Sequence, residues 1–111
     1  MAVTAERARA LALALPDSRE APHFHLTAFR TPRKIFATLD AAIPRMNLMF
    51  DHDLREFYME QAPDAFEPVP GGWGRNGATL CDLRVVDEAV LASALQAAHL
   101  LAGPKAKRSS R

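Results

Sequence analysis

The sequence predicts an α+β domain, a two-layer sandwich in which helices cover one face of an antiparallel sheet, in the order α-β-β-β-α-β-α. Three observations predict it. Apolar residues recur at helical spacing in three places: near the start, after Asp51 and after Asp87. Between them lie short alternating runs of the kind that form half-buried strands. The turns joining those runs hold only a few residues, too few for the crossover that parallel neighbours need. With 111 residues the chain fits one domain, read as residues 1–104, followed by a basic disordered tail over 105–111.

Each element has a local reason. Thr4 is placed to cap a first helix, with Glu6 in the first turn and Ala8, Leu11, Ala12 and Leu15 on one face; Pro16 stops it. Residues 24–29 alternate as a strand, and Thr31-Pro32-Arg33 signals a turn. Residues 34–39 put Ile35, Ala37 and Leu39 on one face and Phe36 and Thr38 on the other. A third strand covers 45–50. Asp51 caps a second helix with Leu54, Phe57, Tyr58 and Gln61 on its apolar face and Asp53, Glu56 and Glu60 in water. Residues 66–70 are extended and punctuated by proline, and the order as a whole leaves room for one more short strand at no assigned place. A glycine-rich loop over 71–77 surrounds Trp73, and a strand covers 78–85. Asp87 opens a last helix over 88–102, whose only charge is Glu88, and Gly103 suits its left-handed end.

Composition narrows the class. Hydrophobic residues make up 49% and charged residues 24%, close to the globular average. Cys81 stands alone, so no internal disulfide forms, and a reducing, cytoplasmic compartment is expected. No apolar run reaches the ~18 residues of a membrane span. Arg7 and Arg9 ahead of an apolar stretch imitate a signal peptide, but Pro16-Asp17 cuts that stretch short.

The net charge of +1 conceals a split. Lys105, Lys107, Arg108 and Arg111 sit in the tail without an acid; the remainder holds ten basic residues against thirteen acidic ones. Within it, Arg30, Arg33, Lys34 and Arg45 face Asp40 alone over residues 21–50, whereas residues 51–67 carry six acids against Arg55. Two readings fit: ordinary segregation of charge between sheet and helix, or an anion-facing rim with an acidic back.

The candidate chemistry is sparse. Cys81 in mid-strand reads as a small core hydrophobe rather than a thiolate nucleophile. His23 and His25, two apart on a strand, would share a face and offer two metal ligands, but no third or fourth is evident. His52 and His99 lie on other elements, and His99 suits a helix C-terminus. The acids around Asp51 and along the second helix read as capping and solvated charge. The loop Gly71-Gly72-Trp73-Gly74-Arg75-Asn76-Gly77 is not a P-loop, because no Lys-Ser or Lys-Thr follows it. Its amides and Arg75 offer a phosphate cradle and Trp73 a stacking face; alternatively the glycines allow a tight turn and Trp73 closes the end of the core. No metal, cofactor or catalytic residue is assigned, and a binding protein is expected in preference to an enzyme.

Four stretches together resemble the MmcQ/YjbR family of small bacterial proteins. They are Leu15-Pro16 with Pro22-His23-Phe24; Ala28-Phe29-Arg30 leading to Lys34-Ile35-Phe36-Ala37; Pro63-Asp64-Ala65-Phe66 running through Pro68 to Gly71-Gly72-Trp73-Gly74-Arg75; and Val86-Asp87-Glu88. The resemblance implies a frataxin-like (CyaY-like) sandwich and DNA binding through hairpin wings, here Arg30, Arg33 and Lys34 with Arg75 on the glycine-rich loop. The chain departs from its relatives at His25-Leu26, Met49 and Ala78, where they often carry Gly-Lys, lysine and tryptophan. The expected function is weak, sequence-nonspecific DNA binding by Arg30, Arg33, Lys34, Arg45, Trp73 and Arg75 with the basic tail. The alternatives are a small-molecule pocket lined by Phe29, Phe36, Met46, Met49 and Trp73, or a homodimer formed through the uncharged face of the last helix.

Overall fold

The structure, a computed structural model, describes residues 2–103; the tail expected over 105–111 lies outside them. The elements run α1 (Ala5–Leu13), β1 (Arg19–His23), β2 (Leu26–Arg30), β3 (Ile35–Asp40), β4 (Arg45–Leu48), α2 (His52–Gln61), β5 (Phe66–Pro68), α3 (Gly72–Arg75), β6 (Thr79–Asp82) and α4 (Glu88–Ala102). Six antiparallel strands form one sheet in the order β1-β2-β3-β4-β6-β5. The α+β sandwich holds, with three elements added to the expected order; one of them, β5, is the further short strand for which that order left room. β1 precedes the strand read at 24–29, and one helical turn, α3, sits inside the glycine-rich loop.

The first helix is capped as its sequence dictates: the Thr4 hydroxyl accepts from the Arg7 amide at 3.0 Å. The register then lines up the core. Ala37 pairs with Leu48, Leu39 with Met46, Met46 with Cys81 and Cys81 with Phe66, so these side chains share one face. Onto that face α4 lays Leu91, Ala94, Leu95 and Ala98, all buried. The sequence expected Phe36 on the opposite face from Ala37. A register shift after Phe29 breaks the alternation, and the Phe36 ring meets His99 of α4 edge-on at 5.3 Å. His99 lies in the last turn of α4, as expected, and is buried, its Nε2 2.7 Å from the Pro16 carbonyl, so it ties α4 to the segment after α1. In α2 only Tyr58 is buried; it packs on Phe50 and Phe66 and its hydroxyl bonds Ser93 of α4. Phe57, expected on the same apolar face, is half exposed.

The other face of the sheet carries Thr38, Asp40, Arg45, Asn47, Leu80 and Asp82. It is partly roofed: Val69 and Pro70, after β5, line a hollow of about 220 Å³ together with His25, Asp40, Arg45, Asn47 and Leu80. In a flat sheet β1 and β5 would lie about 24 Å apart, five strand spacings. Yet the ring of His23, at the tip of the β1–β2 hairpin, stacks on Trp73 at 5.9 Å between centroids. The segment after β5 therefore reaches back across this face to the opposite edge.

Candidate functional site

One end of the sandwich gathers the β2–β3 turn, α3 and the C-terminus of α4. The turn is built on Thr31, a fully buried threonine. Its hydroxyl accepts from the amides of Arg33 (3.0 Å) and Lys34 (3.1 Å), and its own amide donates to the Lys34 carbonyl at 3.0 Å. The side chains of Arg33 and Lys34 are thereby held outward. Arg30 Nε donates to the Thr31 carbonyl at 3.1 Å. Arg33 lies over the end of α4, so close that a Cβ on Gly103 would come within 2.6 Å of its Cδ.

The loop after β5 is fixed by two devices. Gly74 packs against the chain where a Cβ would fall 1.7 Å from the Val69 carbonyl oxygen, so no other residue fits there without moving the backbone. From α2, Arg55 Nη1 donates to the carbonyls of Gly74 at 2.7 Å and Ala78 at 3.3 Å. The amides of Arg75, Asn76, Gly77 and Ala78 bond carbonyls of the loop itself. These four amides are thereby turned into the loop. Trp73 does not close the core either: it is 41% exposed and stacks on His23.

Between turn and loop lies a cleft of about 420 Å³, within the range of small-ligand pockets. Lys34, Ile35, Met49, Asp51, Trp73 and Asn76 are among its walls, with Leu101 and Ala102 from α4. A shallower groove beside it is lined by Trp73, Arg75 and Asn76. Asp51 is the acid among the residues that line the cleft, and one of its oxygens caps α2 through the Leu54 amide at 2.9 Å. The pocket expected between sheet and helices is not formed by all of its named residues, because Phe29, Phe36 and Met46 are fully buried in packed core; of the five, Met49 and Trp73 reach the cleft.

The electrostatics separate two groups of cations. Arg7 pairs with Glu88 (2.7 Å), Arg9 with Glu20 (2.6 Å) and Arg84 with Asp82 (3.0 Å). The hydrogen bond and charge of Arg7 hold the Glu88 carboxyl below its ordinary range, and Arg84 does the same for Asp82. Among the described residues, Arg30, Arg33, Lys34 and Arg75 form no ion pair. A fifth joins them. Arg19 stands directly across from Arg30 in the β1–β2 ladder, a like-charge pairing that costs stability and that a bound anion would relieve. Arg45 does not belong to this group. It lies opposite Asp40 on β3 and Asp82 on β6, at the other end of the strands, and its charge helps depress the Asp82 carboxyl.

The histidine pair also resolves differently. His23 ends β1 and His25 lies in the turn before β2, so they share no strand face; His25 instead sits 3.8 Å from Asp40. Among the described residues no three His, Cys, Asp or Glu side chains converge as a metal site. Cys81 is fully buried, and burial followed by the charge of Asp82 pushes its thiol up to about 12. No helix of the described residues is long and apolar enough to cross a membrane.

A family model for YjbR matches residues 13–101, most of the chain. The chain belongs to the YjbR family. No curated protein matches it. Among solved structures, the YjbR fold seen here is similar to the crystal structure of Deinococcus radiodurans protein DR2400, described as carrying domain DUF419. The two share 21% identity over 88% of this chain and 77% of that one, with a TM-score of 0.71, a likeness of fold. Arg19 and Arg55 were the residues of this YjbR surface that composition could not reveal. The signal for Arg19 was its strand, disguised by Pro22; Arg55 had no local signal.

Proposed function

We propose that this YjbR-family chain is a weak, sequence-nonspecific DNA-binding protein that holds the phosphate backbone with the end of the sandwich formed by the β2–β3 turn, α3 and the end of α4. The observation that carries the reading is the group of cations that form no ion pair among the described residues, Arg19, Arg30, Arg33, Lys34 and Arg75, whereas Arg7, Arg9 and Arg84 are each matched with a carboxylate. Backbone phosphates need fixed cations and no base readout, so such a surface gives affinity without sequence preference. The sequence adds Lys105, Lys107, Arg108 and Arg111 just after Gly103, which lies against Arg33. The reading assigns no nucleophile, and Cys81 is sealed in the core.

Charge reversal tests the location. The pair Arg33→Glu and Lys34→Glu is expected to weaken binding to a short DNA at least tenfold at ~50 mM salt, two phosphate contacts being lost. Arg45→Glu, an equally large change of charge for one residue but beside Asp40 and Asp82, is expected to weaken it by less than threefold. Equal losses per charge at both places would show a response to net charge alone and would overturn the assignment of this end.

A further inference from the structure

Trp73, which adjoins Lys34 in the cleft and Arg75 in the groove, belongs to a row of aromatic side chains arranged in a way that stability does not explain. His23 pairs with Leu26, so Phe24 and His25 form a two-residue hairpin turn. Phe24 has φ 58 and His25 is not among the positive-φ residues. That is the pattern of a turn whose first position glycine normally fills, because a side chain there crowds the backbone. Phe24 is nevertheless phenylalanine, and it is 91% exposed. Its ring lies edge-on to His23 at 4.9 Å, and His23 in turn stacks on Trp73 at 5.9 Å with the planes 19° apart. Three rings thus form a continuous row on the surface. Its Trp73 end opens on the cleft that holds Lys34 and on the groove that holds Arg75.

We propose that this row takes the bases of single-stranded DNA, with Lys34 and Arg75 holding the adjoining phosphates. The proposal rests on the DNA-binding reading above and narrows it. Base faces are hidden by stacking inside a duplex and are free only in a single strand, where aromatic side chains bind them irrespective of sequence. Cations alone would serve either form; a row of surface rings that begins beside Lys34 and Arg75 serves one. The retention of an exposed phenylalanine at a position fit for glycine is explained if its ring is a contact.

The test compares a ~12-nucleotide oligothymidine with a duplex of the same length, using the full chain at ~50 mM salt. Trp73, the sole tryptophan, is the direct readout. Oligothymidine is expected to quench its emission and to bind at least fivefold more tightly than the duplex. Phe24→Asn puts a residue tolerant of positive φ in the turn, so its melting temperature is expected to be equal or higher. Its affinity for oligothymidine is expected to fall about fivefold or more, with duplex binding unchanged. Equal binding of both DNAs with no quenching and a silent Phe24→Asn would sink this inference and leave the phosphate reading standing. Binding of neither DNA would remove both.

Discussion

Replacing Arg55 by methionine removes the hold that α2 has on α3 while keeping most of the side chain's apolar stem. Arg55 Nη1 makes a short bond to the Gly74 carbonyl, 2.7 Å, and a long one to Ala78, 3.3 Å. A hydrogen bond from a charged donor contributes about 1.5–3 kcal/mol, and the short bond is the one of full strength. The variant is therefore expected to lose about 1.5–3 kcal/mol. For a domain of this size that corresponds to a melting temperature lower by roughly 6–15 °C. Thermal unfolding followed by circular dichroism measures the loss. Trp73 adjoins Gly74 in the chain, so its emission in the folded variant is expected to shift to the red as α3 loosens. A melting temperature within about 1 °C of the wild type, with unchanged emission, would refute the reasoning, for α3 would then be held by Gly74 packing alone.

Other consequences follow from the same geometry. Thr31→Val keeps the shape of a buried residue but leaves the Arg33 and Lys34 amides without their acceptor; a loss of about 1–2 kcal/mol in urea unfolding is expected, with weaker DNA binding as the turn loosens. Cys81, buried and with its thiol pushed up to about 12, is expected to react with a disulfide reagent at neutral pH only as the protein unfolds. The carboxyls of Asp82 and Glu88 titrate lower in the folded chain than in the unfolded one. Their contribution to stability is therefore complete above the ordinary carboxylate range and is lost as pH falls below about 4. Asp82→Asn is expected to flatten that acid limb in pH-dependent urea midpoints.

How far the sequence could be read depended on whether a feature was local. Thr4 and the spacing of Ala8 and Ala12 define α1 by themselves, and the uncharged run after Glu88 defines α4. β1 was hidden because Arg19-Glu20-Ala21-Pro22-His23 neither alternates nor looks like a strand with proline in it. An edge strand tolerates Pro22, which has no amide to offer the ladder. The one turn of α3 was hidden by glycines, which disfavour helix unless tertiary contacts hold it, here Arg55 and Val69. Phe24 read as the start of a strand because it is apolar, whereas its backbone makes the hairpin turn. Of the candidate surface, Arg30, Arg33, Lys34, Trp73 and Arg75 were visible as charges and an aromatic. What counting could not supply was register: the pairing that brings Arg19 to Arg30 also removes Arg45 to the company of Asp40 and Asp82.

The central claim is that a handful of fixed cations at one end of this fold bind DNA through its phosphates, and salt titration weighs it most directly. Affinity for a short duplex is measured by fluorescence anisotropy from ~50 to ~200 mM salt. Four or five contacts from Arg19, Arg30, Arg33, Lys34 and Arg75 predict that log K falls against log salt with a slope of about −3.6 to −4.5, steeper if the tail contributes. A slope near zero, or no binding at ~50 mM salt, would contradict the account.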